Sequence, residues 1–482
     1  MLILLVAMLT GLVAMSNWRR AFLLAVVLGF LQDPLRKIAA EQPVVLVMLV
    51  VMAMGIALLV AMARIGPISV RPLAGDNRRA ALVLKLFIGY VLIGALFGLV
   101  RFDSVMVPLI GVLAYLTPIP AVWLAYYYVR HPGDVRQFLF VYIALSTVVA
   151  MSIYLSSIGV QSDLLQQIGG NQLIFDRVAG IVQSNSGLMR TPEVAAWHAA
   201  TGVCMALVYA VAFRGNLGRF AVPLLMLIGL AGAILTGRRK VLAVFMLFVG
   251  IYSLGLYYFG RGSGRGGAVI VTLLVTLLLI GAMVMAPESS ALSPHLARSS
   301  TVLSDAWERL SNLGFASVSW GLQAGGFFGL GVGAGAQGTQ HFSDTSAVLV
   351  GGAAEGGLGK IAAELGVPGL LLVVLACWMV ARQVRHSISI AARTDRTLLR
   401  ICLGLLAFVA ANVPVFIGAS QVYGDPFVLV VLGSLLGFVL AAPRVALFVQ
   451  ARRAIVELQQ PLVQAHRPVR PQQPASWGDE AS

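Results

Sequence analysis

Residues 219–259 read RFAVPLLMLIGLAGAILTGRRKVLAVFMLFVGIYSLGLYYF. Two apolar runs flank one short basic cluster, Arg238-Arg239-Lys240, entered through Thr236-Gly237. Each run is about 20 residues long, enough for a helix to cross a bilayer core of roughly 30 Å. The stretch therefore predicts two membrane helices joined by a tight cationic turn. Every other long apolar run in the chain is read by the same rule.

Such runs lie near residues 2–15, 21–31, 43–63, 80–100, 104–128, 136–158, 193–213, 219–236, 240–259, 267–286, 357–381, 398–417 and 426–447. The first two are short and could form a hairpin or include one interfacial helix, so the expected total is 12 or 13 spans. Only 11% of the 482 residues are charged and 59% are hydrophobic, against about 25% charged in soluble chains. The expected fold class is all-α, a polytopic transmembrane helical bundle with a large extracytoplasmic loop containing short helices. The N-terminus is apolar from Met1 without a basic n-region, which predicts a retained membrane segment rather than a signal peptide.

Net charge +15 invites a nucleic-acid reading, but the cations sit in connectors between spans and in the C-terminal tail. There they set orientation and meet anionic lipid, so no nucleic-acid partner is expected. The segments Arg64 to Arg79 and Arg382 to Arg400, and the tail from Arg444, are all arginine-rich and consistent as cytoplasmic. Alternation then places two long segments outside, roughly 159–192 and 287–356. It also places the Arg238 turn outside, where short loops usually exclude cations. Cations kept where biogenesis disfavours them point to an anion to be held; a lipid-headgroup anchor is the plainer alternative.

These boundaries divide the chain into N-terminal helices (1–158), central helices with the first outer loop (159–286), a large extracytoplasmic loop (287–356), C-terminal helices (357–447) and a cytoplasmic tail (448–482). The tail is rich in Pro and Gln and is expected to be disordered from about Gln459. Within the large loop, Asp305 and Glu308 have capping-box spacing, and Trp307, Leu310 and Leu313 share a face, predicting a helix at the membrane surface.

Candidate chemistry gathers on the outer side. Arg238 and Arg239 can bind phosphate bidentately, and Arg177 and Arg190 lie in the first outer loop, either as anion ligands or as solvated loop residues. Pro192 and Glu193 suit the first turn of the next helix. His198 falls inside that helix, a functional candidate by position or a neutral histidine bonded to a neighbouring helix. His341 follows the alternating glycines Gly329, Gly331, Gly333 and Gly335, which permit close approach of backbone to a ligand. It could act as a general base, and Glu355 lies nearby in sequence. Cys204, Cys377 and Cys402 fall in apolar spans with neither metal spacing nor a disulfide pattern. No metal motif, nucleophile elbow or inverted repeat is evident.

Taken in order, these segments resemble the O-antigen ligase/polymerase superfamily of bacterial membrane proteins. The similar features are Gly29-Phe-Leu-Gln-Asp-Pro-Leu-Arg-Lys37, Arg177-Val-Ala-Gly180, Leu235-Thr-Gly-Arg-Arg239, Glu308-Arg309-Leu310, the glycine run, His341, and Glu364-Leu-Gly-Val-Pro-Gly369. The family's His is typically followed by Asn; here Phe342 follows, so Glu355 is a rival base. The resemblance implies a metal-independent glycosyltransferase without a cofactor, in the bacterial inner membrane with a periplasmic active face. Its donor would be a glycan on undecaprenyl diphosphate, its acceptor a glycan or a lipid core, and a chain-length regulator could be a partner. Arg238, Arg239, Arg177 and Arg190 would then hold the diphosphate, and His341 or Glu355 the acceptor hydroxyl. The expected activity is polymerisation of exopolysaccharide or O-antigen repeats, with the ligase activity and, more remotely, a flippase as alternatives.

Overall fold

A computed structural model describes residues 2–169, 173–176, 179–213, 216–259, 293–336 and 355–451. Helices dominate. In chain order they include α1 (Leu2–Ser16), α2 (Trp18–Ile38), α3 (Leu49–Ile65), α4 (Arg71–Ala74), α5 (Arg78–Phe102), α6 (Met106–Leu116), α7 (Pro118–Tyr128) and α8 (Pro132–Ser157). After a hairpin of β1 (Leu173–Asp176) and β2 (Gly180–Gln183) come α9 (Pro192–Ala212), α10 (Asn216–Leu235) and α11 (Arg239–Phe259). Three short helices follow, α12 (Ser293–Ser300), α13 (Val302–Arg309) and α14 (Ala316–Gly325). The last long helices are α15 (Gly357–Thr394), α16 (Arg396–Gly418) and α17 (Pro426–Leu440).

The chain is an all-α bundle and a multi-pass membrane protein. Among the described residues 8 helices are long and apolar enough to cross a membrane, or 9 if the bent pair Pro426–Leu440 and Ala442–Ala451 is one span. That is fewer than the 12 or 13 expected, for identifiable reasons. The apolar parts of α1 and α10, Ile3–Ser16 and Ala221–Leu235, are too short for a full crossing. Helix α2 is long enough but carries Arg19, Arg20, Asp33, Arg36 and Lys37. The run 267–286 and the tail beyond 451 lie outside the described residues.

Local sequence explains where the helices begin. Asn17, Asn77, Thr191, Asp395 and Asp425 each accept from a backbone N–H one turn in, and Pro192 and Pro426 occupy first-turn positions where a missing N–H costs nothing. Helix α9 is the central post, with 83% of its apolar window buried. Small residues let its neighbours close in: a side chain at Gly202 would collide with Ser146, and one at Gly229 with Val203.

Helix α15 is broken at Gly366 (φ 61°), and the glycine run fills the break. Val367 N–H donates to Phe327 O (2.9 Å), Leu330 N–H to Ala363 O (2.8 Å) and Gly331 N–H to Glu364 O (3.1 Å). The buried Glu364 carboxylate accepts from Gly335 N–H (2.7 Å), and Val332 N–H reaches Gly94 O on α5 (3.1 Å). The close approach that the glycines allow is therefore backbone against backbone, with α5, α6 and α15. Gly333 has φ 99°, and a Cβ there would lie 2.0 Å from Val107 O. A Gly333→Ala substitution combines that collision with left-handed strain of about 1–3 kcal/mol. The apparent melting temperature of detergent-purified protein should drop clearly; an unchanged value would contradict this docking.

Candidate anion site at the Arg238 turn

Helix α10 ends by folding back on itself. Thr236 Oγ1 donates to Ala233 O (2.6 Å), Gly237 turns the chain at φ 72°, and Arg238 N–H donates to Thr236 Oγ1 (3.3 Å). Helix α11 then starts at Arg239. Basic residues in a first helical turn oppose the helix dipole, so Arg239 and Lys240 add positive potential to a terminus that already carries it. The β1–β2 hairpin packs on this turn, with Ile174 and Val182 both in contact range of any side chain added at Gly237.

Partners from four other elements hold the cations. Arg238 Nη1 pairs with Glu193 Oε1 in the first turn of α9 (2.9 Å). Arg298 of α12 donates through Nε to Gly237 O (2.9 Å) and through Nη1 to Asp176 Oδ2 at the end of β1 (2.7 Å). Arg239 shares Asp176 at 3.9 Å and bonds Thr301. Lys240 Nζ donates to Gln421 Oε1 (3.0 Å), in the turn Gln421–Gly424 that precedes α17.

The cations held in this way, with Gln421, border a cavity of about 670 Å³. Arg238, Arg239, Lys240, Arg298 and Arg309 face it, with Glu355 as its carboxylate, while Leu247, Val302, Trp307, Leu313 and Val415 supply an apolar wall. Among the described residues, five cations and the Glu355 carboxylate line the cavity, while Glu193 pairs with Arg238 and Asp176 with Arg239 and Arg298 from outside its lining. Burial lowers the Arg238 pKa, partly offset by Glu193. Burial also lowers that of Arg298, and neighbouring Arg239 lowers it further. An entering anion would relieve that crowding, so the arrangement favours an anionic ligand with an apolar portion.

The sequence-expected residues distribute unevenly. Arg238 and Arg239 face the cavity together with Glu355, which is exposed and sits just before α15. Arg190 does not line it: its guanidinium lies between Asp33 (3.3 Å) and Asp425 (2.5 Å). Arg177 and His341 lie outside the described residues. Glu193 occupies the first turn of α9 as expected, and also pairs with Arg238. His198 is fully buried, bonded to Tyr142 Oη through Nδ1 (2.7 Å) and stacked on Phe427, matching the neighbour-bonded reading. Cys204 and Cys402 are buried, but Cys377 is exposed on α15.

Helix α13 carries Trp307, and this residue shares the cavity wall with Leu310 and Leu313, as their common face predicts. The helix begins after Thr301 rather than at the Asp305 capping box, because α12 leads almost directly into it. Sequence reasoning did not single out Arg298 or Gln421, and it quoted Arg309 only within the Glu308-Arg309-Leu310 segment, without an anion-binding role. Arg298 and Arg309 lie in a long segment, where the short-loop rule gives no signal, and Gln421 carried none either. No protein-family model matches the chain, and no curated protein matches it significantly.

Proposed function

We propose that this protein is a membrane glycosyltransferase that polymerises polyprenyl-diphosphate-linked oligosaccharide repeats at the outer face of a bacterial inner membrane. The observation that carries the reading is the cavity at the Arg238 turn, where a cluster of arginine and lysine side chains meets an apolar wall. A diphosphate diester has two ionised phosphates and, on a polyprenyl carrier, a long apolar tail. The resemblance of the ordered segments to the O-antigen ligase/polymerase superfamily supports the same class.

In the proposed reaction an acceptor hydroxyl attacks the anomeric carbon of the donor sugar. The new C–O bond forms as the bond to the diphosphate oxygen breaks, and that oxygen leaves with the electron pair. Arg238 and Arg239, with Lys240, Arg298 and Arg309, stabilise the negative charge that develops there. The hydroxyl proton goes to Glu355 or to His341. Glu355 is favoured by its place on the cavity wall beside the cations.

The base is tested by complementing a deletion strain with Glu355→Gln or His341→Ala protein at matched expression. Loss of the base should cut polymer formation about 10²–10⁴-fold, leaving single carrier-linked repeats. Long carrier-linked glycan left unattached to lipid core would indicate the ligase instead. Wild-type glycan from both variants would contradict both.

A further inference from the structure

We propose that Arg190 is a positioning residue, which sets the partners of two cavity cations, Arg238 and Lys240, without touching the ligand itself. The inference rests on reading the cavity as an anion site. Arg190 joins three distant parts of the chain. Its backbone N–H donates to Asp33 Oδ2 (3.0 Å), its Nη1 pairs with Asp33 Oδ1 (3.3 Å), and its Nη2 pairs with Asp425 Oδ2 (2.5 Å). The side chains of Asp33 and Asp425 are 1% and 2% exposed, so both carboxylates are closed to water, while Arg190 keeps 17% exposure.

From this lock two short paths lead to the cavity. Along one, Arg190 precedes Thr191, the cap of α9, and Glu193 in its first turn grips Arg238 at 2.9 Å. Along the other, Asp425 ends the turn Gln421–Gly424 and caps α17 through Phe427 N–H (2.7 Å) and Val428 N–H (3.0 Å). Gln421 in that turn accepts from Lys240 Nζ at 3.0 Å. One planar guanidinium thus fixes both the α9 start and the turn before α17, and through them the aim of two cations. A lysine in its place is a single point charge and cannot span two carboxylates in fixed geometry. Loss of fixed orientation weakens a charged site even when every charge remains.

The test uses full-length protein purified in detergent, with Arg190→Lys and the milder Asp425→Asn. Acylation of Lys240 in ligand-free protein is mapped by mass spectrometry, and farnesyl diphosphate serves as the anionic probe. In Arg190→Lys, Lys240 should label several-fold faster and the probe should bind about tenfold more weakly; Asp425→Asn should shift both in the same direction by less. Combining Arg190→Lys with Gln421→Ala should cost less than the two separate losses together, because both act through one path. Unchanged Lys240 labelling in folded variants overturns the proposal. So does strictly additive loss of affinity, the result expected if Arg190 met the anion directly. If wild-type protein does not bind farnesyl diphosphate, the anion-site reading fails, and the labelling still decides whether Arg190 positions Lys240.

Discussion

Arg238→Ala protein, restored to a deletion strain at wild-type abundance, should leave the cell without long glycan and with single carrier-linked repeats accumulating. Arg238 combines three properties within the cavity. It faces the space, it is held by Glu193 at 2.9 Å, and it follows a turn whose geometry is set by Gly237. Removing one fixed donor to developing negative charge costs about 10²–10³ in rate. The substitution also leaves Glu193 without its ion-pair partner. A loss of folding could therefore mimic a loss of chemistry. The double variant Arg238→Ala with Glu193→Gln removes that orphaned charge. It should regain stability and stay inactive. Restored polymer in the double variant would mean that Arg238 served only to neutralise Glu193. Arg238→Lys keeps the charge without the bidentate fork and should retain a partial rate.

Asp425→Ala should cause a large loss of stability. Its Oδ2 pairs with Arg190, and its Oδ1 accepts from two N–H groups at the start of α17. Breaking a buried ion pair by deleting one partner costs about 3–5 kcal/mol, because the remaining charge keeps its desolvation penalty. Loss of the helix cap adds about 0.5–2 kcal/mol. Asp33 still faces Arg190, so the low end of the combined range is expected. Asp425→Asn keeps an oxygen for the cap and should lose only part of this. Thermal unfolding of the three proteins in one detergent should rank wild type above Asp425→Asn above Asp425→Ala. An Asp425→Ala protein as stable as wild type would mean that the Asp33–Arg190–Asp425 network contributes nothing to the fold.

Much of the bundle was legible because membrane spans are set by local composition. The run on either side of Arg238 became α10 and α11, and the Pro192-Glu193 first turn of α9 followed from helix-start preferences alone. The count of spans was less legible, since α2 is long but charged and α1 is apolar but short. Arg190 shows the deeper limit. From sequence it was one outer-loop arginine among several, because its partners Asp33 and Asp425 are 157 and 235 residues away. The glycine run shows another. Alternating glycines announce close approach, but whether a ligand or another backbone comes close depends on Glu364 and the break at Gly366. Arg238 itself was readable because the expected topology placed its turn on the side where short loops exclude cations.

The central claim is that the cavity at the Arg238 turn transfers glycan from a carrier diphosphate. Its most direct measurement is reconstitution of the purified full-length protein in proteoliposomes with single lipid-linked repeat units from the native host. Wild-type protein should release polyprenyl diphosphate and build carrier-linked chains of two or more repeats, while Arg238→Ala protein in the same vesicles should do neither. Carrier-linked repeats that remain single with wild-type protein, or chains that grow equally well with Arg238→Ala, would contradict it.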